Sequence, residues 1–191
     1  MSEKKPDLRR RILDGAYGAF CMRTYAGAQV PFIAEVAQTA VGSLYRYFPS
    51  KEDLGNAAYH DAVTDLLARV RQVHAARHPS IRAEFAQYWQ CNADFASERT
   101  AAYKFLAQDN TAFLNEENLA LRQELYTEAT GFIRRGQEAS RIRSGDPRQL
   151  VALLHGALLQ WGAYLYPAKI NDLPQDQRET AEEACWGILK A

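Results

Sequence analysis

The chain has 191 residues, 47% of them hydrophobic and 24% charged, the balance of an ordinary globular protein, which excludes the disordered and fibrous classes. Its formal net charge is zero, so the whole molecule is not a general nucleic-acid coat. The charge is unevenly spread: residues 1–51 carry eight Lys or Arg against four Asp or Glu, which predicts a phosphate-facing module joined to an acidic body.

Helical spacing recurs along the chain and no stretch alternates as a strand does. The first helix is predicted from Asp7 to Arg23, with Ile12, Ala16 and Phe20 inward. The second starts near Pro31, a residue suited to a first turn, and buries Ile33, Val36 and Ala37. A short third helix spans Val41 to Phe48; Pro49 and Ser50 end it, and Ser50 with Asp53 caps a long fourth helix from Lys51 to His74. Its inner stripe is Leu54, Ala58, Ala62, Leu66, Val70 and Val73. Ser80 restarts the chain into a fifth helix whose face is Ile81, Phe85, Tyr88, Asn92 and Phe95, with Trp89 alongside. Further helices follow over 100–107 and 116–141, until Ser144-Gly145-Asp146-Pro147 breaks the chain. The eighth, 147–166, is apolar on nearly all sides, so two of them need cover; the ninth, 174–189, is expected to bury Ala181, Ala184, Cys185, Ile188 and Leu189.

Cys21, Cys91 and Cys185 are odd in number, far apart and without a CxxC pair, which points to reduced thiols rather than a disulfide framework or a zinc site. His74 and His78 have chelating spacing but no third ligand nearby, so no metal is expected. No Gly-rich phosphate loop, HExxH or Gly-x-Ser-x-Gly sequence is present, so neither a cofactor nor catalysis has support. Residues 1–6 lack the apolar stretch of a signal peptide, and 150–166 is short for a membrane span and interrupted by His155 and Gln160. A cytoplasmic protein without a membrane partner is the expectation.

Two short helices with a tight turn behind a basic first helix form the layout of a helix-turn-helix unit. In the third helix Leu44 and Phe48 face inward, which turns Val41, Gly42, Ser43, Tyr45 and Arg46 outward. A phenol, a guanidinium, a hydroxyl and a glycine that permits close approach suit phosphates and base edges in a major groove. Tyr47 divides between core and phosphate, and Lys51 adds charge to the free N–H groups that begin the fourth helix. Arg10 stands in the run Arg9-Arg10-Arg11, read either as a solvated basic face or as an arm on the DNA backbone. For Tyr45, Arg46 and Lys51 the plain alternative is likewise a solvated helix face.

Arg11-Ile12-Leu13-Asp14 with Ala16 and Phe20, then Ile33-Ala34, Ala37 and the unbroken run Gly42 to Leu54, resemble the DNA-binding signature of the tetracycline-repressor (TetR) family. The match runs without gaps over residues 9–54, and its Leu-Tyr-x-Tyr-Phe-x-x-Lys-Glu-x-Leu core is specific. Residues 135–138 with Asp146-Pro147 are similar, more weakly, to the family's turn between helices seven and eight. The resemblance implies an all-α fold of about nine helices: a three-helix DNA-binding domain at 1–50 and a ligand-binding and dimerisation domain at 51–191. It also implies operator DNA, a small effector and a second copy as partners, the two copies packing helices eight and nine into a four-helix bundle. Gln29 stands where the family has a cap that touches phosphate. Thr24 and the turn Gln38-Thr39-Ala40 also depart from the family's glycine and serine choices, which makes a helical ligand- or protein-binding module with weakened DNA binding the alternative.

Taken singly, the aromatics of the C-terminal part read as core. Together, Phe85, Trp89, Tyr103, Phe113, Tyr126 and Trp161, with Asn92 and His155 as orienting polar groups, suit an apolar pocket for an apolar or aromatic effector, which the resemblance implies between helices four and eight. An all-helical enzyme rests on nothing beyond this same aromatic, His-containing half.

Overall fold

The computed structural model describes residues 7–164 and 172–191, with the side chains of 162–164 left aside. Among these residues the chain forms α1 (Leu8–Gly27), α2 (Val30–Val36), α3 (Val41–Tyr47), α4 (Lys51–Ala75), α5 (Ile81–Glu98), α6 (Thr100–Leu106), α7 (Glu116–Glu138), α8 (Pro147–Tyr164) and α9 (Gln175–Leu189). The all-α expectation holds. The only extended pairing among the described residues is an isolated antiparallel bridge, Ile142 with Lys190, beside Arg143 N donating to the Leu189 carbonyl at 2.8 Å.

Packing divides the chain into two units, Met1–Val63 with Ala101–Ala120, and Thr64–Thr100 with Leu121–Ala191. The sequence placed one boundary at residue 50. Instead α4 gives its first half to one unit and its second half to the other, and α6 with the segment after it joins the N-terminal helices.

In the first unit α1 packs on α2 and α2 on α3. Gly15 makes the first contact possible: a Cβ there would lie 2.5 Å from the Ala37 Cα. Ile12, Ala16, Phe20, Ile33, Leu44 and Leu54 are all fully buried, so the helical periodicity located this core correctly. α1 ends differently from its prediction. Thr24 takes a left-handed backbone (φ 59°) and kinks the helix, and the last residues re-close when Ala28 N donates to the Thr24 carbonyl. Thr24, standing where the family has glycine, is thus a strained residue.

The second unit gathers Phe85, Tyr88, Trp89, Phe132, Ile133, Leu154, Trp186 and Leu189 as its core, with α9 packed on both α5 and α8. Ser80 caps α5 by accepting from Ala83 N at 3.1 Å, and Asp146 caps α8 by accepting from Arg148 N at 2.9 Å. α7 stops at Glu138, short of the predicted 141, because Ser140 turns left-handed (φ 53°) and the Gly136 carbonyl takes up the N–H groups of Arg141 and Ile142. In α9 Ala184 is exposed rather than buried, and Trp186, absent from the predicted face, is buried in its place. Residues 165 and 166, the predicted end of α8, lie outside the described residues.

Gln38 is left-handed as well (φ 51°). A residue with a Cβ costs about 1 kcal/mol or more there relative to glycine. Gln38→Gly is therefore expected to raise stability by about 1 kcal/mol, read as a higher urea midpoint at unchanged m-value. A lowered midpoint would show that the Gln38 side chain contributes more than its backbone costs.

Candidate nucleic-acid interface

The turn between α2 and α3 closes through backbone bonds: Gln38 N donates to the Glu35 carbonyl and Thr39 N to the Ala34 carbonyl, both at 2.9 Å. Thr39 does not cap α3; its N-cap is Ala40, which has no side chain to accept a bond. Gln29 at the N-cap of α2 makes no capping bond either. At the other end of α2 the bare carbonyls take a donor from α1. Arg11 Nη2 donates to the Gln38 carbonyl at 2.7 Å and reaches the Ala37 carbonyl at 3.4 Å, a cation on the C-terminal end of α2. Its place in the basic run gave no sign of this contact with a partner 27 residues away.

With Leu44 fully buried and Phe48 nearly so, α3 presents its other face. Val41, Tyr45 and Tyr47 are exposed to 37%, 46% and 39%, so each offers apolar or phenolic surface to a partner. Arg46 is exposed, Ser43 is half-buried, and nothing lies within 4 Å of where a Gly42 side chain would stand. Ser50 and Asp53 form the predicted cap of α4, Asp53 N donating to Ser50 Oγ at 3.0 Å and Ser50 Oγ to the Asp53 carboxylate at 2.7 Å. Lys51 follows with Nζ donating to the Ala26 carbonyl at 3.3 Å. Gln29, also exposed, belongs to the same unit.

The half-exposed Arg10 guanidinium lies 2.9 Å from the Asp14 carboxylate and 3.2 Å from that of Asp61. Asp61 also accepts from the buried Tyr17 hydroxyl at 2.8 Å, which ties α1 to α4. Arg9 lies over the Phe48 ring. The three-arginine run is a set of struts for this unit.

The eight effector candidates are divided between the units. Tyr103 and Phe113 belong to the first, where Phe113 stacks on Tyr25 with centroids 3.7 Å apart. Tyr126 is 42% exposed on α7. Phe85, Trp89, Asn92, His155 and Trp161 all belong to the second unit. There Trp89 meets Trp161 at 5.6 Å, the Tyr88 hydroxyl and His155 Nε2 share a hydrogen bond of 2.7 Å, and Asn92 donates to the Tyr88 carbonyl. Beside them the buried Glu84 carboxylate pairs with His74 Nδ1 at 2.7 Å and with Arg135. His78 Nε2 lies 2.7 Å from the Val73 carbonyl, so the His74–His78 pair does not converge. No group of three ligating side chains occurs among the described residues.

A basic helix, two short helices at a tight turn and a solvent-facing second helix over a buried one-turn pair define a helix-turn-helix DNA-binding module. Residues 12–58 match the family described as bacterial regulatory proteins, tetR family, and residues 59–191 match the tetracyclin repressor-like C-terminal domain. The chain belongs to the TetR family of transcriptional regulators. The HTH-type transcriptional repressor KstR of Mycolicibacterium smegmatis is 45% identical over 53 residues, 28% of this chain and 26% of that protein. KstR of Mycobacterium tuberculosis is 43% identical over 53 residues, 24% of its length; the alignment thus spans about a quarter of these relatives. Among solved structures, a TetR family regulator from Marinobacter aquaeolei has a TM-score of 0.77 at 15% identity, covering 96% of this chain and 95% of that one. KstR2 of Mycobacterium tuberculosis has a TM-score of 0.76 at 15% identity, covering 98% and 97%. These likenesses extend the fold over the whole chain. Among the described residues no helix is long and apolar enough to cross a membrane.

Burial holds the His155 pKa down at about 4, below the unfolded imidazole's value of about 6.5. The unfolded chain then binds more protons between those values, so His155 contributes stability above pH 6.5 that is lost as pH falls toward 4. Desolvation shifts His74 in the same direction. Urea midpoints from pH 7.5 down to pH 5 are expected to fall less steeply in His155→Gln than in the wild type; equal slopes would count against a neutral, buried His155.

Proposed function

We propose that the chain is a ligand-responsive repressor that binds double-stranded operator DNA as a homodimer. The observation that carries this reading is the α3 face of Val41, Gly42, Tyr45, Arg46 and Tyr47, open to solvent beside Lys51 while Leu44 and Phe48 hold the helix from beneath. Tyr45, Arg46 and Ser43 meet base edges and phosphates, and Lys51 with Gln29 contacts phosphate at helix starts.

α8 supports the dimer. Leu150, Val151, Leu154 and Leu158 are buried, whereas Ala152, Leu153 and Gly156 stay exposed, Leu153 to 59%. An apolar helix with a bare apolar side is what a second copy covers, and α9, packed on α8, supplies the neighbouring helix. The effector is a small apolar or aromatic compound held in the second unit near Phe85, Trp89, Asn92, His155 and Trp161. It acts only through its difference in affinity for the two states of the dimer.

The left-handed Gln38 and the uncapped start of α3 favour a second reading, the same fold with weakened DNA binding. Fluorescence anisotropy with duplexes from the flanks of the protein's own gene separates the two. Under the first reading Tyr45→Ala costs about 1–3 kcal/mol and relaxes selectivity. Lys51→Ala weakens all duplexes alike and lowers the slope of log K against log salt by about 0.9. Under the second reading neither variant changes DNA retention.

Leu153→Glu places a charge on the bare side of α8. Light scattering is expected to give twice the chain mass for the wild type and the single-chain mass for the variant. A wild-type monomer at micromolar concentration would remove the dimer from the proposal.

A further inference from the structure

Lys51 does not stand free at the start of α4. Its Nζ lies 4.6 Å from the centroid of the Tyr25 ring and donates to the Ala26 carbonyl. Tyr25 in turn stacks on Phe113, with an interplanar angle of 19°. Phe113 comes from the segment between α6 and α7, far from the helix-turn-helix in sequence but in the same unit. Three features fix the stack. The Thr24 kink redirects the end of α1 so that Tyr25 and Ala26 face Lys51. Gly55 leaves room for both rings: a Cβ there would fall 2.7 Å from Tyr25 Cε2 and 3.0 Å from Phe113 Cε2. Asn56, one position on and buried, donates to the Phe113 carbonyl at 2.8 Å and accepts from Asn115 N at 2.8 Å, while Asn118 Nδ2 donates to its Oδ1 at 2.9 Å.

A lysine side chain has four rotatable bonds, so its ammonium is normally spread over many positions, and holding it for one phosphate costs rotamer entropy at the moment of binding. An aromatic face attracts the ammonium and restricts it beforehand, without neutralising its charge as a carboxylate would.

We propose that Tyr25 and Phe113 are positioning residues for DNA binding: a two-ring platform that holds the Lys51 ammonium in place for phosphate and makes the segment after α6 part of the DNA-contacting head. The proposal rests on the reading of Lys51 as a phosphate contact.

The test uses the full chain with its lysines 13C-dimethylated, which keeps their charge. The Lys51 signal is identified by its loss in Lys51→Arg, and a fluorescein-labelled duplex of random sequence is titrated from about 50 to 200 mM salt. In the wild type the Lys51 methyl signal is expected upfield from ring currents; Tyr25→Leu returns it to the ordinary lysine position, and Tyr25→Phe keeps it. Tyr25→Leu and Phe113→Leu weaken duplex binding and lower the salt slope, by up to the 0.9 or so lost in Lys51→Ala. Tyr25→Phe and Phe113→Tyr bind as the wild type does, and Tyr25→Leu added to Lys51→Ala costs nothing more. Phe113→Leu carries the test where Tyr25→Leu fails to fold.

An unshifted Lys51 signal in the wild type overturns the platform. So does a Tyr25→Leu loss of the same size with and without Lys51, which marks a merely structural role. If Lys51→Ala weakens binding while Tyr25→Leu and Phe113→Leu do not, the phosphate role survives and the platform alone fails. If Lys51→Ala binds with wild-type affinity and slope while the ring-current shift is present, the phosphate role itself fails, and the platform fails with it as an element of DNA binding.

Discussion

The DNA-facing end of the molecule depends on one charge-assisted contact, the Arg11 guanidinium on the carbonyls of Ala37 and Gln38. In a turn closed by glycine the backbone takes its left-handed step at no steric cost, and a serine can then cap the next helix. Here the step is taken by Gln38 and the next helix starts at an uncapped Ala40. Both residues raise the energy of the turn. Arg11 can offset that cost because Gly15 lets α1 close to contact distance on Ala37. A bulkier residue at 15 would move the whole of α1 outward, and the guanidinium with it.

The same economy runs through the other basic residues of this unit. Arg9 covers Phe48, Arg10 joins Asp14 and Asp61, and Arg23 stacks on Phe32 with its guanidinium carbon 3.8 Å from the ring centroid. Partly exposed pairs of this kind contribute little each to stability. The positive excess of residues 1–51 still raises the local potential, since paired charges count in the far field.

What was legible in the sequence follows from period and spacing. Ile12, Leu44, Leu54 and Phe85 announced their burial because helical repeats fix which face is covered. The Ser50–Asp53 cap was legible because its chemistry is local, three residues apart. The outward set on α3 followed from its two inward residues. Three kinds of feature were not legible. Arg10 and Arg11 look alike as letters, and only the distant partners Asp61 and Gln38 tell one strut from the other. That Tyr103 and Phe113 pack with the N-terminal helices, apart from Phe85 and Trp89, was hidden because nothing local reveals that α6 joins those helices. Ala184 and Trp186 exchanged places because a helix with apolar residues on two sides does not say which side its own chain will cover.

That last ambiguity has a physical source that also bears on function. A helix buried on one side by its own subunit and on the other by a second copy shows one wide apolar pattern, and sequence periodicity cannot divide it. In α8 the division is between Leu150, Val151, Leu154 and Leu158 within and Ala152, Leu153 and Gly156 without. His155 sits between the two sets, bonded to Tyr88 and kept neutral by burial. Its polar bond is therefore satisfied inside one subunit, one residue from the face left for a partner. Small side chains on that face, Ala152 and Gly156, let a facing helix approach closely, while Leu153 supplies the apolar area. In the proposed dimer, shape and hydrophobicity on α8 would set the geometry of the association. A dimer held in that way would tolerate salt, whereas DNA binding through phosphate weakens with it, so ionic strength would separate the two assemblies.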